Sequence, residues 1–250
     1  MVAIPRDEAE PPGASDRRGD ARPSLWQEQR MGWELLELLA SPVYYGVGVP
    51  RGDGAPVLLV PGFLGSDEYL TILRSWLRRL GYRPHASGID ACLGSLTALT
   101  ERLERRVAAV AADAGRPVTL VGHSLGGILS GLVARRRPAL VDHVITLGCP
   151  HRPELPDRGD PPVHPLAELL LWDRAAAEQA YYAAPLPDGV RLSSIYSRED
   201  AVVDWRTSLV AGPAATAYRV AGTHVGLAWN AAVYRLLGRL LLADPPVRRA

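Results

Sequence analysis

Residues 117–127 read Pro-Val-Thr-Leu-Val-Gly-His-Ser-Leu-Gly-Gly, and this stretch decides the fold. Its first half, PVTLVG (117–122), is a short continuous apolar run, as expected of a strand covered on both faces of a parallel sheet. A helix is expected from Leu125 to Arg136. Between the two, Gly122-His123-Ser124-Leu125-Gly126 fits a G-x-S-x-G turn whose strained backbone projects the serine hydroxyl out of the sheet end. Glycines flank the serine because side chains there would collide with the neighbouring strand and helix.

Outward from this turn the chain alternates strand and helix. Upstream, PVLLVP (56–61) is a second buried strand, followed by a helix over 68–80 that stops at Gly81. A strand at YRPHAS and a long helix from about Thr97 to Ala114 come next. Downstream are strand HVITLG (143–148), then RLSSIYS (191–197), YRVAG (218–222) and a closing helix over 227–242. The order predicts an α/β fold with a mostly parallel central sheet and helices on both faces.

The alternation fails once, over about 151–187, where Pro153, Pro156, Pro161, Pro162 and Pro165 precede a helix at 166–183. Residues 1–24 read by composition as a disordered or extended tail, leaving 25–250 as a single domain with one insertion. Residues 25–39 place Leu25, Trp26, Met31, Leu35, Leu38 and Leu39 at helical spacing, which predicts an amphipathic helix packed on the domain. Its polar face carries glutamates rather than the basic residues a membrane anchor favours. VYYGVGVPRGDGAP then reads as a short strand and a turn.

Bulk properties exclude several function classes. The chain has 250 residues, 47% hydrophobic and 22% charged, with a formal net charge of +1. That balance gives no electrostatic case for a nucleic-acid partner or an anionic membrane surface. All 28 basic residues are arginine, scattered rather than clustered. Two cysteines, Cys92 and Cys149, make no disulfide framework. The tail lacks the apolar core of a secretory signal and no segment is apolar enough for a transmembrane span, so the expectation is a soluble cytoplasmic protein. His85, His143, His151 and His164 show no metal-ligand spacing, and Gly122–Gly127 lacks the dinucleotide fingerprint, so no cofactor and no metal are expected.

With its turn set between strand and helix, the chain resembles the lipase and esterase branch of the α/β-hydrolase superfamily from about Pro56 to Leu242. That resemblance implies a serine nucleophile, then an acid, then a histidine, in chain order. Ser124 is the implied nucleophile. The loop after RLSSIYS, Arg198-Glu199-Asp200-Ala201-Val202-Val203, resembles the acid loop of bacterial lipases and points to Asp200, with Glu199 and Asp204 as rivals. His224, in Gly222-Thr223-His224-Val225-Gly226-Leu227, matches the family's histidine stretch and is the only histidine beyond residue 164.

The chemistry gives each residue a task. Ser124 is a weak nucleophile until His224 takes its proton, and Asp200 would hold the imidazole tautomer and stabilise the imidazolium. An oxyanion hole would use the backbone N–H groups of Leu125 and Phe63, the latter in Pro61-Gly62-Phe63-Leu64-Gly65. Pro61 replaces the family's usual histidine there. His123 is expected to pack. The insertion stands where the superfamily places a lid, and its Leu166, Leu169, Leu170, Trp172, Tyr181 and Tyr182 either roof an acyl pocket or pack on the sheet. Leu64, His151 and Trp172 are the substrate-binding candidates. The expected substrate is an ester with an apolar acyl group, cleaved by hydrolysis. Acyl transfer by the same triad, or a catalytically silent binding protein, are the alternatives.

Overall fold

Six strands form where the apolar runs fall: β1 Pro56–Val60, β2 Arg83–Ala86, β3 Val118–His123, β4 Val141–Leu147, β5 Arg191–Ser197 and β6 Ala215–Val220. The computed structural model describes residues 25–152, 173, 177, 179–181, 185–210 and 212–242. The expected tail at 1–24 and most of the insertion, Trp172 included, lie outside the described residues. The strands make one sheet in the order β2-β1-β3-β4-β5-β6, with every pair parallel.

Alternating side chains send the two faces of the sheet into separate cores. Leu58, Val60, Leu120 and Val144 pack with α3 (Leu96–Ala114) and α4 (Leu125–Arg136). Val57, Leu59, Val121 and Ile145 pack with α2 (Thr71–Arg79) and the C-terminal helix Ala231–Leu240. Covered on both sides, β1 and β3 are buried throughout, which is why their sequences read as unbroken apolar runs. Each fully buried leucine or valine there contributes roughly 1.5–3 kcal/mol.

Three local expectations change. Pro42–Tyr45 is a 3-10 turn rather than a strand, because Gly46 and Gly48 both take positive φ and break the extended run. The closing helix starts at Ala231, where the Asn230 side chain caps it by accepting from the N–H groups of Ala232 and Val233; Val225–Trp229 forms a separate 3-10 turn. The N-terminal helix, a 3-10 turn Leu25–Arg30 followed by α1 (Met31–Ala40), packs with unexpected polarity. Leu38 and Glu34 are buried, whereas Trp26 is 78% and Met31 38% exposed. Glu34, assigned to the solvent side, faces the domain, while Glu37 stays exposed.

The topology places the site. β2 lies to one side of β1 and β3 to the other, so the strand order reverses between β1 and β3. At such a switch point the connecting loops part and leave a crevice beyond the carboxyl ends of the strands.

Candidate active site

Ser124 stands at the end of β3 with φ 50° and ψ −121°, a conformation that costs a non-glycine residue about 1–3 kcal/mol. The surroundings enforce it. The Ser124 N–H donates to the Leu147 carbonyl at 2.8 Å, and its own carbonyl accepts from Gly127 at 2.9 Å. A Cβ on Gly122 would strike the Gly126 carbonyl, and one on Gly126 would strike the carbonyls of Val60 and Pro61. The expected flanking glycines are therefore needed for close approach. Leu125 opens α4, so its N–H has no acceptor within the helix.

Beyond the neighbouring strands, His224 and Asp200 meet. The Asp200 loop follows β5 and the His224 loop follows β6. His224 Nδ1 lies 2.7 Å from Asp200 Oδ2, with both side chains almost wholly buried. The other carboxylate oxygen accepts from the N–H groups of Val202 and Val203 at 2.9 and 2.7 Å. Asp200 thus fixes its own loop while holding the imidazole, and the neutral ring carries its proton on Nδ1. Burial opposes charging the ring, but the Asp200 charge and hydrogen bond, with Glu28 adding to them, raise the His224 pKa above its ordinary value. The rivals are occupied elsewhere: Asp204 caps the 3-10 turn Trp205–Ser208, and Glu199 forms an exposed ion pair with Arg30.

The two halves are tied together. Gly148, after β4, sits beneath the pair, since a Cβ there would lie 3.0 Å from Asp200 Oδ2 and 3.1 Å from His224 Nδ1. His123 Nε2 donates to the His224 carbonyl at 2.9 Å, while its Nδ1 accepts from the Tyr69 hydroxyl at 2.8 Å. Tyr69 Oη in turn accepts from the Gly62 N–H at 3.1 Å. Burial holds the His123 pKa down at about 3, so it stays neutral and serves as a fixed strut. More than packing, it links the Gly62–Phe63 loop to the histidine loop.

The remaining candidates divide. Phe63 and Leu64 lie in the loop after β1, which packs against the serine turn: a Cβ on Gly62 would be 3.1 Å from Ser124 Cβ. Leu64 is 51% exposed and takes φ 59°, held by its N–H on the Cys92 carbonyl. His151 already has protein partners at both ring nitrogens, Thr146 at 2.9 Å and Tyr181 at 2.6 Å. Tyr181 is buried against α4 in the core rather than exposed as a roof. Cys92 and Cys149 are both buried and are not joined in a disulfide.

Serine after β3, acid after β5 and histidine after β6 stand at one end of a parallel sheet with helices on both faces. The sheet and its helices overlay Aspergillus fumigatus lipase B with a TM-score of 0.61 at 17% identity, over 78% of this chain and 55% of that one. The chain has the α/β-hydrolase fold. A sequence family described as "Alpha/beta hydrolase" matches residues 84–153, which hold the serine turn. The chain is also 32% identical over 126 residues to a triacylglycerol lipase of Burkholderia plantarii and 34% identical over 106 residues to one of Pseudarthrobacter phenanthrenivorans. These stretches cover 47% and 39% of this chain but only 35% and 33% of those lipases, so the chain spans about a third of the curated relatives it matches. Among the described residues, no helix is long and apolar enough to cross a membrane.

Three residues escaped the sequence reading. Tyr69, Glu28 and Glu34 all contact loops that carry the site, and none belongs to a local motif. Tyr69 reaches His123, 54 positions away, while Glu28 reaches Val225, 197 positions away.

Proposed function

We propose that this α/β hydrolase cleaves carboxylic esters through an acyl-enzyme on Ser124. The buried 2.7 Å contact between His224 and Asp200, at the same sheet end as the strained serine turn, carries this reading. Ser124 Oγ attacks the ester carbonyl carbon as His224 Nε2 takes its proton. The negative oxygen of the tetrahedral intermediate is received by the N–H groups of Leu125 and Phe63. Collapse expels the alcohol, which receives the proton from His224, and leaves the acyl group on Ser124. Water then repeats the sequence and releases the acid. Asp200 keeps Nδ1 protonated and stabilises the imidazolium formed in each half.

An apolar acyl group suits the exposed Leu64 beside the Phe63 donor, and the bacterial lipase relatives favour a lipid-like ester. The chain from residue 25 onward is read as one domain with a lid-like insertion over about 151–187, in the cytoplasm, taking a small-molecule ester rather than nucleic acid and needing no cofactor.

Two measurements test this. A fluorophosphonate probe should label the protein and fail to label Ser124→Ala, whose ester hydrolysis should fall by a factor on the order of 10⁵–10⁶. Labelling that survives the substitution, or no labelling of either protein, would overturn the assignment, the latter favouring a silent binding protein. In a nitrophenyl ester series of increasing acyl length with added alcohol, free acid should be the main product. An acyl-transfer product dominating would replace hydrolysis by transfer.

A further inference from the structure

The histidine and acid loops are not held only by each other. A carboxylate from the opposite end of the chain lies between them. Glu28 Oε1 accepts from the His224 N–H at 3.0 Å and the Ala201 N–H at 3.3 Å, and Oε2 accepts from the Val225 N–H at 3.1 Å. Its two oxygens thus join the residue after the acid to the histidine and the residue after that. Further along the chain, Glu34 is buried and accepts from the N–H and hydroxyl of Thr223 at 2.7 and 3.0 Å. The fit leaves no room to spare: a Cβ at Gly226 would coincide with the Glu34 carboxylate. Gly226 is thus needed as the space into which α1 inserts an acid.

We infer that Glu28 is a positioning residue for the proposed reaction, clamping the Asp200 and His224 loops in register and supporting the charged imidazole, with Glu34 seating the helix that carries it. The inference rests on the triad assignment above. Its chemical basis is geometric. Three backbone N–H groups directed at one carboxylate make charge-assisted hydrogen bonds, roughly twice as strong as neutral ones. They fix the backbone of His224 itself, and with it the point from which its ring reaches Asp200. A neutral side chain would make fewer of these bonds and bring no charge.

The other groups around His224 do not supply the same function. Asp200 faces Nδ1, the neutral His123 ring lies 4.9 Å away between centroids, Glu34 acts through Thr223, and the Arg30–Glu199 pair is exposed and mutually compensated. Only Glu28 and Asp200 among them raise the His224 pKa. Since the general base must be unprotonated, activity falls as pH drops through that raised value. Removing Glu28's charge lowers the value and moves the acid limb down.

The test compares the full chain with Glu28→Gln and with Glu37→Gln, an exposed acid in α1. In nitrophenyl ester hydrolysis, Glu28→Gln should lower kcat by roughly 10- to 100-fold with KM nearly unchanged, as expected when a base is misplaced by a fraction of an ångström. The acid limb of kcat/KM should move to lower pH by about half a unit or more. Glu37→Gln should change neither. An unchanged kcat and limb in Glu28→Gln would overturn the inference, as would a loss of activity tracking a lowered melting temperature with the limb unmoved. Imidazole titration by NMR keeps the clamp separable from the proposed activity. If the wild-type chain hydrolyses no ester, a lower His224 pKa in Glu28→Gln still supports the clamp while the function fails, and an unshifted pKa sinks the clamp alone.

Discussion

The two halves of the candidate site are built by different means. The serine half is made of backbone: a strained turn, glycines at 122 and 126 that permit close approach, and hydrogen bonds from Ser124 and Gly127 within a few residues or to the next strand. The histidine half is made of side chains brought from afar. Glu28 and Glu34 come from the N-terminal segment, Tyr69 and His123 from the β1 and β3 ends, and all converge on residues 223–225 or the loop beside them. A nucleophile can be held rigidly because only its oxygen must be presented. The proposed base must hold a ring at one angle while it gains and loses a proton twice per turnover, and carboxylates with neutral struts meet that demand better than steric exclusion does.

The difference can be broken first at the acid. Asp200→Asn should keep the loop contacts through its remaining oxygen but present the wrong partner to Nδ1, lowering kcat by about 10⁴ while the fold is retained. The check is turnover on a short-chain ester beside an unchanged melting curve. A loss below about tenfold would show that Glu28 and the backbone hold the ring without Asp200, and the side-chain description of this half would need revision.

Tyr69→Phe probes the strut that joins the halves. The Gly62 N–H loses its acceptor and His123 Nδ1 its donor in a buried place, so stability should drop by about 1–3 kcal/mol in chemical denaturation. Burial pushes the Tyr69 phenol up, so the hydroxyl remains a donor at any ordinary pH and the loss should not depend on pH. A neutral outcome would mean that the Gly62–Phe63 loop and the histidine loop stand independently.

Glu34 gives a smaller, pH-dependent effect. Burial raises its pKa above the ordinary carboxylate value despite the Thr223 hydrogen bonds. Ionisation is therefore harder in the folded state, and the stability associated with Glu34 declines as pH rises from the unfolded pKa through the folded one. Glu34→Gln should remove that decline, so the substituted chain gains relative to wild type as pH rises above about 4.5, as thermal melts at increasing pH would read. A relative loss with rising pH would show the ionised form to be the preferred one.

The contrast between the halves also explains what could be read in advance. Strand and helix order and the serine turn are legible because each is a local pattern: an apolar run, or a glycine pair between strand and helix. Asp200 and His224 follow only from the resemblance, which prefers Asp200 over Glu199 and Asp204, and the structure brings Asp200 to the ring by the turn it makes with Val202 and Val203. Glu28, Glu34 and Tyr69 were not legible, because their partners lie 54 to 197 positions away and nothing in the periodicity of residues 25–39 distinguishes a carboxylate aimed at a loop from one aimed at water. Helical periodicity assigns the apolar side to the core by default. Here Trp26 stays exposed while Glu34 is buried, since Glu34 meets the N–H and hydroxyl of Thr223 and Leu38 alone carries the helix fully into the apolar core.

The smallest expected effect guards that distinction. Arg30 and Glu199 form a 3.0 Å ion pair between the same helix and the same acid loop, yet their side chains are 59% and 39% exposed. An exposed pair gains little, because water screens the attraction and two long side chains lose freedom. Glu199→Gln should therefore change stability by less than about 0.5 kcal/mol and leave kcat within roughly twofold. Glu28 and Glu199 differ in sequence far less than in environment: both are glutamates joining the N-terminal segment to the acid loop, one aimed at backbone donors and one at a solvated guanidinium. Should Glu199→Gln match Glu28→Gln in its effect on the pH limb, general charge near the loop would govern His224 and the directed hydrogen bonds would not. A silent Glu199→Gln beside a crippled Glu28→Gln would locate the effect in the contacts themselves.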